Sequence, residues 1–203
     1  MRITFGLIGA NFVMFTLQLM FWDLFMKIFA LTPTMALGGA WWQFITYMFL
    51  HGGPMHIILN MFMLFIFGEV MEQALGEVRY LTLYLVSGLG SAMTYILLMG
   101  VTTDSMIGAS GAVFGILAAY GLMFPKNKIW VPIPFIVPLP AFTVVILLAV
   151  LEFALGFLGL EPGIANFGHF GGIVTGILIT WYWKKTSRPR NLHERRNYEF
   201  FWE

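Results

Sequence analysis

A chain of 203 residues that is 59% hydrophobic and only 10% charged falls well short of the roughly 25% charge usual for soluble domains. Its apolar residues run in long blocks, which excludes a water-solvated globule and points to a bilayer. With no cysteine, disulfides, thiolate metal sites and a cysteine nucleophile are excluded; the net charge of +1 says nothing about partners.

Six apolar segments are predicted, at about 3–21, 54–71, 80–99, 108–124, 141–160 and 166–183. The fold class is therefore an all-α membrane protein, a six-helix bundle, with the second and fourth segments short for a span of about 20 residues. The first run is long for a signal peptide and is followed by Trp22 and Asp23 rather than a small-residue cleavage site, so no cleavable signal is expected. The connection 23–43 is rich in Trp, Phe, Leu and Met, and is predicted to lie in the outer interface as short amphipathic pieces. "VPIPFIVPLP" (131–140) carries four prolines and cannot be regular helix; an extended approach along the inner interface is expected. Residues 1–183 form one membrane domain. Residues 184–203 form a basic tail whose aromatic end, "YEFFWE", is expected on anionic lipid.

Six spans put both termini on one side. Arg2, Arg79, Lys126, Lys128 and the tail cluster from Lys184 to Arg196 fall on that side, and Lys27 alone on the other. By the positive-inside rule both termini are cytoplasmic.

Polar side chains deep in a bilayer are costly and mark function or a specific bond. Ser110 lies 15 residues before Pro125, His169 15 before Lys184, and Asn60 and His56 lie 12 and 16 before Glu72. At 1.5 Å per residue all four sit about 18–24 Å above the inner boundary. The polar stretch "GVTTDSMIG" descends to Ser110, and irregular backbone at that depth requires protein or a water-filled cavity beside it. A helix starting there leaves unpaired N–H groups that can stabilise an oxyanion. Serine needs a base, and His169 is the candidate at its level. Gly168, Gly172 and Gly176 face Gly111, Gly115 and Ala119 as small-xxx-small surfaces that allow near backbone contact. His56 and Asn60, four apart, share a helix face.

These residues resemble the rhomboid intramembrane serine proteases, of the prokaryotic six-transmembrane core type, through "HGGPMHIILN", "GASG" (Gly108 to Gly111) and "GHFGGIVTG" on successive spans. The resemblance implies a fourth helix starting inside the membrane and a Ser110–His169 dyad with no third acid. It implies an oxyanion site of His56, Asn60 and the Ser110 N–H, with Phe114 packing on the base. It implies hydrolysis of single-pass transmembrane proteins near the outer face, in a multi-pass protein of a prokaryotic cell membrane. Membrane lipid is the other expected partner; no nucleic acid and no cofactor is expected. Trp42 matches the family's Trp-Arg pair, whose arginine is Gln43 here.

Each residue also has a plainer reading. Ser110 can be a small packing residue at a helix cap, and His169 a buried histidine on a carbonyl. His51 fits a structural brace of the first outer loop better than catalysis. His51 and His56 share no face and no carboxylate completes a set, so no metal is expected. Glu152 lies mid-segment in the fifth span without an assigned role. Two other classes stay open: a non-catalytic binder of membrane proteins, against which the intact Ser110 and His169 speak, and a channel or transporter, against which the single depth of the polar cluster speaks. The fifth span and "LGLEPGIA" before the sixth are the expected gate.

Overall fold

The computed structural model describes residues 1–132, 136–160 and 165–186. Helix α1 (Arg2–Met20) is followed by three short helices, α2 (Trp22–Phe29), α3 (Pro33–Leu37) and α4 (Gln43–Thr46), and a 3-10 turn at Tyr47–Phe49. The long helices α5 (Pro54–Leu75) and α6 (Glu77–Met99) lead to the short α7 (Ser110–Met123). Strands β1 (Lys128–Pro132) and β2 (Ile136–Pro140) precede α8 (Ala141–Leu158) and α9 (Asn166–Thr186).

The apolar blocks thus become helices at nearly the predicted positions, with one difference of length. Helix α5 is not short: it continues to Leu75 through Glu72 and Gln73. Glu72 is buried because it caps another helix. Its carboxylate accepts from the Ile3 N–H at 3.1 Å, the Thr4 N–H at 2.9 Å and the Thr4 hydroxyl at 2.6 Å. It thereby satisfies first-turn donors of α1 and suits the positive end of that helix dipole. Gly76, at φ +78°, ends α5 instead.

The connection after α1 folds into short helices, as its apolar composition requires. The described parts of the proline-rich stretch are extended, as predicted: β1 and β2 pair antiparallel, in register from Lys128↔Pro140 to Pro132↔Ile136. The tail from residue 187 onward and the 161–164 part of the expected gate lie outside the described residues.

Helix α9 packs most extensively on α6 and α7, α8 is held by α9 and α7, and α1 leans mainly on α5. Glycine permits the central contact. A Cβ on Gly172 would overlap the Gly111 carbonyl, and one on Gly176 the Gly115 carbonyl, so α7 and α9 meet backbone to backbone. Large apolar side chains turn outward on α1, α5 and α8, among them Phe12, Phe62, Leu147 and Phe157. Among the described residues four helices, α1, α5, α6 and α8, are long and apolar enough to cross a membrane. The molecule is an all-α membrane bundle, an integral membrane protein of several spans.

Candidate active site

Ser110 is the first residue of α7, and the chain reaches it in a held conformation. The Leu31 and Met106 backbones exchange bonds of 3.0 and 2.9 Å, Thr32 and Ser105 hydroxyls meet at 2.7 Å, and the Gly108 N–H donates to the Tyr47 carbonyl at 3.0 Å. The loop after α1 is thus tied to the segment that delivers the serine. The first intrahelical bond of α7 runs from the Val113 N–H to the Ala109 carbonyl at 3.0 Å. The N–H groups of Ser110, Gly111 and Ala112 precede it and form the donor end of the helix.

The close approach of α7 and α9 puts His169 Nε2 2.7 Å from Ser110 Oγ. The Phe114 ring lies over the imidazole at 4.8 Å between centroids, tilted by 34°. On the other side of the ring, Nδ1 is 3.0 Å from Glu152 Oε2. That oxygen also accepts from Asn166 Nδ2 at 3.0 Å.

His56 enters from α5. Its Nδ1 accepts the Gly52 N–H at 3.1 Å, so in the neutral ring the proton sits on Nε2. That nitrogen faces Gly108, where a Cβ would lie 2.9 Å from it and 3.5 Å from Ser110 Oγ. A donor N–H and the serine oxygen therefore border one small space. Asn60 stands one turn further along α5, its Nδ2 donating to the His56 carbonyl at 2.9 Å. Ser110, His169, His56, Asn60 and Phe114 all line one cavity of about 1090 Å³.

His51 lies outside this cavity. It is fully buried before α5, and its backbone is bracketed by Gln18 of α1, whose amide donates to the His51 carbonyl and accepts its N–H, each at 3.0 Å. Its ring stands edge-on to His56 at 5.0 Å. Burial, and after it the neighbouring His56, push this imidazole down to about 3. Gln43 anchors the first loop without a charge. Its oxygen accepts the Thr32 N–H at 3.1 Å and its nitrogen donates to the Ile28 carbonyl at 3.2 Å, which also accepts the Trp42 indole N–H at 2.9 Å. No group of three or more His, Asp or Glu among the described residues is arranged to hold a metal.

The residues gathered from the sequence thus meet, except His51, and the sequence reading lacked two that the structure adds: Glu152 as a neighbour of His169, and Asn166. Counting from Pro140 finds the first. Glu152 is 12 residues beyond it, about 18 Å deep at 1.5 Å per residue, the level of the other four.

Comparison with known proteins bears on the same region. Residues 38–186 match the family model of the Rhomboid domain. RHOMBOID-like protein 4 of Arabidopsis thaliana is 36% identical over 142 residues, which cover 70% of this chain and 34% of that protein. Rhomboid protease AarA of Providencia stuartii is 33% identical over 161 residues, 72% of this chain and 57% of its own length. Rhomboid-type serine protease 2 of Emericella nidulans is 35% identical over 142 residues, 68% of this chain and 26% of its own. The chain spans only part of each relative, and the residues matched by the family model include Ser110, His169, His56, Asn60 and Phe114. The chain belongs to the rhomboid family.

Proposed function

We propose that the protein is an intramembrane serine endopeptidase that hydrolyses peptide bonds of transmembrane protein substrates, with Ser110 as nucleophile and His169 as general base. The 2.7 Å contact of Ser110 Oγ with His169 Nε2 in a lined cavity carries this reading. As Oγ bonds to the scissile carbonyl carbon, its proton passes to Nε2 and the carbonyl electron pair moves onto oxygen. Collapse restores the carbonyl, breaks the C–N bond and delivers the Nε2 proton to the leaving amine. Water then attacks the acyl-enzyme ester with His169 again as base, releasing the carboxylate and restoring Ser110.

The oxyanion falls to His56 Nε2–H, the Asn60 amide and the Ser110 N–H. The His56 proton position supports this part, since its Nδ1 is occupied as an acceptor. The positive-inside pattern supports six spans with both termini cytoplasmic, so the loop 21–53 and the cavity face outward and the cut falls near the outer surface of single-pass substrates.

The test is labelling of the purified protein by a fluorescent fluorophosphonate, with cleavage of a model transmembrane substrate in liposomes. Wild type is expected to label and cleave, and S110A and H169A to do neither while melting normally. Cleavage retained in a folded S110A variant would end this reading.

A further inference from the structure

We propose that Glu152 is a positioning residue for the base, so that the site works as a Ser110–His169–Glu152 relay rather than as a serine–histidine pair. The inference rests on the serine-protease reading above and extends it to a residue on a different helix.

Glu152 is the only charged residue of α8, and its neighbours along that helix are apolar. It is 9% exposed. A carboxyl there is costly unless bonded, and both its partners come from one face of α9. Asn166 and His169, three apart, present Nδ2 and Nδ1 to the same oxygen, each at 3.0 Å. A carboxylate only accepts, so the shared proton sits on His169 Nδ1. Nε2 then carries the lone pair, aimed at Ser110 Oγ 2.7 Å away. With Phe114 over the ring face, the imidazole is held at both nitrogens and from above, in the tautomer that the base needs.

The carboxylate also acts on charge. When Nε2 takes the serine proton, the ring becomes a cation inside a low-dielectric bundle, and Glu152 lies against it. That interaction is stronger in the transition state than in the resting enzyme, so its loss lowers kcat rather than raising KM. Asn166 fixes the oxygen that does this, leaving a hydrogen-bonded chain from α9 to α8, back to α9 and on to α7.

A helix-to-helix brace would have the same geometry but a different pH dependence. Among the described residues, Glu152 of α8 bonds to the His169 ring, and His56 of α5, Tyr95 of α6 and Asp104 of the segment before α7 are the other ionisable side chains that line the cavity the ring borders. All but Glu152 are unchanged in an E152Q variant. The difference between the two pH profiles therefore reports on the carboxylate.

The experiment compares wild type, E152Q, E152D and S110A in liposomes, over pH, with melting measured alongside. E152Q is expected to lose at least about 10²-fold in kcat, toward the ~10⁴-fold seen when other serine hydrolases lose their acid. Its KM should stay within about twofold, and the acid limb of its kcat profile should move to lower pH by about one unit or more. E152D, which keeps the charge, should fall between the two. E152Q with wild-type kcat and an unmoved acid limb would overturn the proposal. Cleavage by S110A would instead overturn the serine-protease reading beneath it. Should E152Q not fold, ¹⁵N spectra of histidine-labelled wild type decide, assigned against H169A: a proton on His169 Nδ1 is expected, and the Nε2-protonated neutral form overturns the proposal.

Discussion

Gly108 presses against the edge of the His56 imidazole: a Cβ at Gly108 would lie 2.9 Å from both Cε1 and Nε2 of that ring. Its φ of +127° is also one that other residues rarely adopt. Gly108→Ala therefore strains the backbone by about 1–3 kcal/mol and displaces the His56 donor together with the serine that follows two residues later. The variant is expected to melt lower and to lose most of its kcat, and a substrate-cleavage assay paired with thermal melting reads both.

His56→Ala removes the Nε2–H without touching the Ser110–His169 contact. Loss of one oxyanion donor costs about 10²–10³ in kcat in other hydrolases, and KM should change little. Steady-state kinetics on a transmembrane substrate check this, and an unchanged kcat removes His56 from the oxyanion site.

Gly172→Ala places a methyl group into the Gly111 carbonyl. Helices α7 and α9 must separate, which lengthens the reach from His169 to Ser110. A stability loss of about 1–3 kcal/mol is typical of overpacking, and fluorophosphonate labelling should slow even where the variant remains folded. Gly6, where a Cβ meets nothing within 4 Å, is the control: Gly6→Ala should leave both readouts unchanged.

Gln43→Arg would install the residue implied by the family resemblance, yet it is expected to destabilise this chain. A guanidinium has no acceptor, so the Thr32 N–H that now donates to the Gln43 oxygen loses its partner. A buried unpaired N–H costs about 1–3 kcal/mol. Hydrogen exchange at residue 32 and the neighbouring loop should quicken in Q43R, and Q43A should behave alike.

His51 gives the protein an acid limit. Its imidazole is held down to about 3 in the folded protein, against about 6.5 when unfolded. The unfolded chain therefore binds the extra proton between those values. The stabilisation is fully present above pH 6.5 and is lost as pH falls from there toward 3. His51→Phe, which keeps the backbone bonds to Gln18, should flatten the fall of melting temperature across that window.

Much of this is legible in the sequence, and for a physical reason. A bilayer fixes the length of a span, so counting from the charged ends gives depth, and depth alone put Ser110, His169, His56 and Asn60 on one level. The glycine faces of α7 and α9 then supplied the closeness that a 2.7 Å contact needs. Lateral information was missing. Glu152 sits in a helix with no second polar group in the same turn to mark its face, and only the packing of α8 on α9 shows what it meets. Likewise nothing local in residue 18 announces that its amide will clasp the backbone of residue 51. Four prolines rule out helix over 131–140, but the pairing of Lys128 with Pro140 depends on two residues that no local pattern links.

Helix α8 has a further consequence. Only Ala141, Val144, Val145 and Glu152 of its 18 residues are buried, so much of its surface is open to its surroundings. Its one charged side chain nevertheless bonds to His169. An 18-residue helix is about 27 Å long, and a bilayer of different thickness changes its tilt, and with it the distance from Glu152 to His169. The thickness of the surrounding lipid becomes an input to the chemistry. In vesicles of graded acyl-chain length, kcat is expected to peak where the hydrocarbon depth matches α8, and in E152Q that peak should flatten.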